Sequence, residues 1–322
     1  MSWDMVKRVV RSGRGGSAAR FVLPQLVVEI EPGFVVGARL DGRTRQLQRL
    51  AVRELEPHTV EPSPHRSNVA SPEGLRMALH ALAQVVGNGN AHCALLIPDG
   101  AVRVGILGFE TLPDDPKDTQ ALLCWRMREN LPCPPEEANL AYQVLRREPH
   151  NVELLVVAVK NTVLREYEQL LEPMNASLAL ILPATISLLP LLPEESGIGE
   201  LLLHVCSGWL SAVVLEGNRP RSWRTVELRC RAPEELVREA AVEAARVVAS
   251  ARDHLRLEIG RVWLCERPPA VPGLEEEVGV AVSKEVVRVS PAGGLSRVLS
   301  EAERPLFENF GTTVAGLITN AG

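Results

Sequence analysis

The order of elements repeats along this chain, and the repetition restricts the fold more than any single motif does. Short β-branched runs at residues 26–30, 34–40 and 47–54 predict an antiparallel meander whose first turn is Glu31-Pro32-Gly33. Ser71-Pro72-Glu73 then supplies an N-cap, a proline at the first helical position and an early acid. A helix to about residue 86 follows, and then a strand at 93–97. The same order starts again at Gly199, with strands near 201–205, 210–215 and 222–228. Pro233 opens a long helix to about 257, and strands follow at 262–265 and 286–289. A meander, a helix and a strand occurring twice predict two α/β lobes, and 322 residues exceed the usual single domain.

Between the repeats lies an extra block. A strand at 102–107, a helix at 118–130 stopped by Leu131-Pro132, a hairpin of 140–146 with 154–159, and a helix at 162–171 read as an inserted α/β subdomain. The uncharged stretch 174–193 is long enough to span a bilayer, but Pro183, Pro190 and Pro193 would break its hydrogen-bond ladder. A buried strand at 177–182 leading into a short core helix is expected instead. A last helical stretch, 303–318, closes the chain.

Charge and motif content narrow the function. A net charge of −5 without a long Lys/Arg stripe argues against a nucleic-acid partner. Cysteines at 93, 124, 133, 206, 230 and 265 form no CxxC pair and have no nearby histidine at ligand spacing, so reduced thiols and no metal site are expected. There is no Walker loop, GxSxG, HExxH or GxGxxG, and Gly87-Asn88-Gly89-Asn90 reads as a helix-to-strand turn. Adjacent Glu136 and Glu137 point different ways, which does not suit an acid/base pair. Glu275-Glu276-Glu277 reads as the first turn of a helix, and His80 and His254 as structural. Lys7, Arg8, Arg11, Arg14 and Arg20 oppose only Asp4 near the N-terminus; residues 1–23 suit either a basic amphipathic helix at a membrane surface or a disordered tail.

The run from Leu123-Cys124-Trp125-Arg126 through Leu131-Pro132-Cys133-Pro134-Pro135-Glu136-Glu137 to Tyr142, preceded by Ile97-Pro98-Asp99-Gly100, resembles the PilM family of actin-like type IV pilus assembly proteins. The resemblance implies a two-lobed actin-like (ribonuclease H-like) α/β fold. Its parts would be a tail at 1–23, a first lobe at 24–98, an inserted subdomain at 99–176, a return helix at 177–198, a second lobe at 199–302, and a C-terminal helix at 303–322 returning to the first lobe. The family grips ATP between two strand-turn-strand loops, and this chain departs from both. The first reads Glu29-Ile30-Glu31-Pro32-Gly33-Phe34: Pro32 removes a donor, Glu31 adds negative charge and Phe34 adds bulk. In the second, His204 stands where the family has aspartate, before Ser207 and Gly208, and an imidazole is a poor magnesium ligand. The family's glycine-rich adenosine motif is replaced here by Cys265 to Leu274, which keeps only Pro272-Gly273-Leu274.

These departures lead us to expect a scaffold that is not an enzyme and holds no ATP, magnesium or other cofactor. The alternative, an active ATP-binding protein, stays open because Ser207, Gly208, Arg267 and Gly273 could cradle a phosphate in another way. By resemblance the partners would be the cytoplasmic N-terminal peptide of a PilN-like inner-membrane protein and other pilus assembly proteins. The place would be the cytoplasmic face of the inner membrane, with the peptide groove between the first lobe and the inserted subdomain. Trp125 and Tyr142 are candidate peptide anchors, with core packing as the other use of each. A type II secretion component is a further alternative; such a protein normally continues into a transmembrane helix, whereas this chain closes with Thr319-Asn320-Ala321-Gly322.

Overall fold

The computed structural model describes residues 24–319 apart from 88, 90, 194–197, 230, 231, 292–294, 296 and 297. The basic segment 1–23, Cys230 and part of the turn after residue 87 therefore lie outside the described residues.

The first sheet contains β1 (Leu26–Glu31), β2 (Phe34–Leu40), β3 (Leu47–Glu54), β4 (Ala91–Ile97) and β8 (Ala176–Pro183), in the order β3-β2-β1-β4-β8. Strands β1 to β3 pair antiparallel, and β4 and β8 extend the sheet in parallel. Pro32 and Gly33 form the tight β1–β2 turn, and Gly33, at φ 95°, takes the position that an L side chain would strain. The crossover helix α1 (Pro72–Val86) buries Leu75, Leu79, Leu82 and Val86. Gly37 gives Leu82 its place on β2, since a Cβ there would lie 2.6 Å from the Leu82 side chain.

The second sheet repeats this topology with β9 (Gly199–Cys206), β10 (Trp209–Glu216), β11 (Arg219–Glu227), β12 (Ile259–Glu266) and β13 (Val286–Arg288), in the order β11-β10-β9-β12-β13. The long crossover helix (Pro233–Ser250) buries Val237, Ala240, Ala244 and Val247, and continues through a π-helical turn, Ala251–Leu255, until Arg256 turns left-handed. The inserted unit is a three-stranded sheet of β5 (Arg103–Phe109), β6 (Ala138–Glu148) and β7 (Asn151–Lys160), in the order β5-β7-β6. It is backed by α2 (Pro116–Met127) and carries α3 (Asn161–Gln169). The first of these starts two residues earlier than its pattern predicts, because Asp115 accepts the Lys117 N–H as N-cap and Pro116 takes the first position.

The uncharged stretch forms β8 and then α4 (Ala184–Leu188), all of whose residues are buried, so the return to the first lobe is a strand as well as a helix. Taking the crossover helix as α5 and Leu274–Val282 as α6, the chain ends in α7 (Glu303–Phe310) and α8 (Thr312–Thr319). The single terminal helix expected from the pattern is two, broken at Gly311. Glu303, at the start of α7, accepts Leu50 N–H on β3, and α8 packs on α4, which ties the C-terminal segment to the first lobe. Among the described residues no helix is long and apolar enough to cross a membrane. Cys93, Cys124, Cys133, Cys206 and Cys265 are free thiols, and no group of three or more metal-ligating side chains occurs among the described residues.

Candidate functional site

The two tight turns that the fold brings face to face, β1–β2 and β9–β10, meet directly. Ser207 and Gly208 take φ of 44° and 83°, as a two-residue hairpin turn requires, and Ser207 Oγ donates to the Pro32 carbonyl at 2.8 Å. Behind the turns lies a polar cluster drawn from both lobes. Arg267, just past β12, reaches across to Glu29 on β1, with Nη2 2.6 Å from Oε2. The same nitrogen donates to the Phe310 carbonyl at 3.0 Å. The guanidinium lies 5.3 Å from the centroid of the Phe34 ring, and Phe34 meets Phe310 edge-on at 5.1 Å. Thr313 Oγ1 on α8 donates to Glu29 Oε2 at 2.7 Å. Arg267 is only 2% exposed, and its Nη2, expected to be available to a phosphate, is taken by Glu29 and the Phe310 carbonyl.

His204 enters a second group. Its Nδ1 lies 2.9 Å from Asp99 Oδ2 and 2.8 Å from Thr185 Oγ1, while Thr185 donates its hydroxyl to Asp99 Oδ2 and its N–H to Oδ1 at 3.1 Å. His204, at the position where the family has aspartate, is therefore a buried side chain bonded to a carboxylate. Burial alone would raise Asp99, but its bonds to His204 and Thr185 and the His204 charge hold it below the ordinary carboxylate value. Gly273 stands apart as the left-handed residue before α6, with φ 82° and its carbonyl accepting Glu277 N–H. Asp99, Thr185 and Thr313 were not anticipated. Each has a faint signal, a polar residue in an otherwise apolar segment, that does not say what it will meet.

Charge decides which acid holds a proton. Burial pushes Glu29 up, and Arg267 and the Thr313 hydroxyl oppose it. Glu31 is pushed well up by burial and then by the Glu29 charge, and the Cys206 thiol donates to its Oε2 at 3.4 Å. With one guanidinium near two carboxyls, burial and the Glu29 charge favour the neutral form of Glu31, against the negative charge expected of it. The folded protein thus holds this proton above the ordinary value of 4.5. Its stabilising effect is complete below that value and declines as pH rises toward the folded-state value. Glu31→Gln keeps the neutral shape, so its melting temperature should gain on the parent's as pH rises above the ordinary carboxylate value of 4.5. A pH-independent difference in calorimetry would mean that Glu31 is ionised in the folded state.

A separate apolar groove of about 210 Å3 opens between the first lobe and the inserted sheet. Ala141 and Asn139 of β6 pair with Val157 and Val159 of β7, so all four share one face of that sheet. Leu178 and Ile181 of β8, the last strand of its sheet, form the opposite wall, with Leu164 and Glu168 of α3 at the side. Tyr142, one residue on, faces the other way and packs against the cluster that holds Leu123 and Met127 of α2. Trp125, on α2, is 60% exposed with Arg128 stacked at 5.9 Å. Neither expected anchor lines the groove, because the period of two puts Tyr142 on the face that α2 covers.

No protein-family model matches the sequence, and no curated protein does. Solved structures do. A chain of the PilM–PilN type IV pilus biogenesis complex is 17% identical at a TM-score of 0.75, covering 94% of this chain and 99% of its own. A protein of actin-like ATPase fold and unknown function from Bacteroides thetaiotaomicron is 11% identical at a TM-score of 0.55, with 94% and 99% covered. The cytoplasmic domain of EpsL, an inner membrane component of the type II secretion system of Vibrio cholerae, matches at 0.48 with 12% identity, covering 88% and 95%. At these identities the first two likenesses establish the fold alone: two actin-like lobes in the arrangement of the pilus-complex chain.

Proposed function

We propose that this actin-like chain is a cytoplasmic scaffold of a type IV pilus assembly complex, holding the N-terminal peptide of a PilN-like inner-membrane protein without turning over ATP. The groove between β8 and the β6–β7 face carries the reading. An extended peptide needs apolar pockets for alternate side chains and a strand edge with free backbone groups, and Val157, Val159, Leu178 and Ile181 stand beside the terminal strand of the first sheet. The likeness to a chain of a PilM–PilN complex supports the same partner class.

The interlobe cleft supports the absence of turnover. Bound nucleotide with magnesium would need phosphate-facing donors and an ionised carboxylate or waters for the metal. Here the two turns bond to each other, the Arg267 guanidinium is paired to Glu29, and burial with the Glu29 charge favours a neutral Glu31. These residues do not fit such a ligand.

The test is a calorimetric titration with the synthetic N-terminal peptide of the bitopic protein encoded alongside. Ala141→Arg, which fills the groove from β6, should weaken binding by at least tenfold, about 1.4 kcal/mol, while Trp125→Ala leaves it unchanged. The reverse pattern would move the peptide to the opposite face. Titration with ATP and magnesium should release no heat of binding; a micromolar Kd, about −8 kcal/mol, would sink the scaffold reading.

A further inference from the structure

The side chain that crosses between the lobes does more than fill space. Arg267 is anchored on its own lobe by its backbone, where its N–H donates to Val205 O at 2.8 Å. Among the described residues, every partner of its guanidinium, by contrast, belongs to the first lobe and the C-terminal helices packed on it: Glu29, Phe310 and the Phe34 ring. The pair is dry, with both side chains 0% exposed. It is also incompletely bonded, since Arg267 Nε and Nη1 and Glu29 Oε1 have no partner among the described residues. A buried pair of this kind adds little net stability over apolar residues of similar size, but its directional bonds are satisfied in only one arrangement of the lobes. Two further ties lie along the same seam, Ser207 to Pro32 and His204 to Asp99, and Gly100 admits the Trp209 ring from the second lobe at a distance where a Cβ would sit 2.5 Å from it.

We propose that the Arg267 guanidinium is a built-in occupant of the interlobe cleft that holds the two lobes in one closed arrangement without a bound ligand. In an actin-like fold the cleft is the place where lobes can rock about a hinge. In this chain a side chain of the second lobe ends in the first, so closure is a property of the chain itself. The inference stands on the cleft alone and is independent of what the groove binds, since peptide titration reads the groove separately.

Hydrogen exchange followed by mass spectrometry tests it on the full chain. In Glu29→Leu/Arg267→Met, which removes the directional bonds while keeping apolar volume, amides at the two turns (31–34 and 205–209) should exchange at least about tenfold faster. Those of β7, inside the inserted sheet, should keep the parent's protection. Unchanged protection at both turns would show that the lobes stay closed without the guanidinium, and equal acceleration in β7 would reduce the pair to a general stabiliser; either overturns the proposal. Arg267→Ala gives a second reading by small-angle scattering. Its radius of gyration should rise and fall back on adding millimolar guanidinium ion, well below denaturing concentrations. Neither should happen if the cleft is held by other contacts. Should Arg267→Ala fail to fold, the double variant decides alone.

Discussion

Arg267→Met is expected to lower the free energy of unfolding by about 3–5 kcal/mol, because it leaves the Glu29 carboxyl buried with no cation. Glu29 is 0% exposed, and its remaining donor would be the Thr313 hydroxyl. The substitution keeps most of the side-chain length against the Phe34 ring, so the loss would come from charge rather than from a cavity. Adding Glu29→Leu should recover the parent's stability to within about 1 kcal/mol, since exchanging a buried ion pair for apolar groups is close to neutral. Denaturant unfolding of the two single variants and the double completes a mutant cycle. A loss below about 1 kcal/mol for Arg267→Met would mean that water reaches Glu29 in the folded protein. The same pair thus separates two quantities: its net contribution to global stability, expected to be small, and its hold on the lobes, expected to be local.

Gly316→Ala should destabilise the chain by about 3 kcal/mol, at the upper end of overpacking costs, although alanine is the better helix former by about 1 kcal/mol. A Cβ at Gly316 would lie 1.7 Å from the Ser187 carbonyl oxygen and 2.8 Å from its carbonyl carbon, so α8 must move off α4. Both contacts are backbone, which no rotamer change relieves. Because α8 also supplies Thr313 to Glu29, the displacement would loosen the interlobe cluster as well. Thermal unfolding checks it: a melting temperature at or above the parent's would mean that the two helices can separate without loss. Gly279→Ala is the control, since a Cβ there meets its nearest neighbour at 3.4 Å.

Much of the candidate site was legible as an alteration and illegible as a structure. The first turn could be read as unsuited to phosphate from Glu31, Pro32 and Phe34 alone. That Glu31 would be pushed toward its neutral form could not, because its protonation depends on burial at β1 and on the charge of Glu29 two residues away on the same face. Tyr142 was legible as sharing a side with Leu140 and Val144, but nothing local says which face α2 covers. Asp99 was part of a quoted motif, yet its partners Thr185 and His204 lie 86 and 105 residues away.

The sequence by itself determined the repeated meander, helix and strand of the two lobes, the inserted block, the tight turns and the conversion of the uncharged stretch into strand and short helix. These follow from backbone preferences, side-chain period and proline and glycine chemistry, which act over a few residues. Only the tertiary structure decided that Arg267 meets Glu29 across 238 residues, that the C-terminal helices complete that cluster, and that the free groove lies on the Ala141 side of the inserted sheet. Those outcomes depend on how the lobes close and which sheet face each helix covers. They are set by burial and shape summed over the whole chain, and no local pattern encodes them.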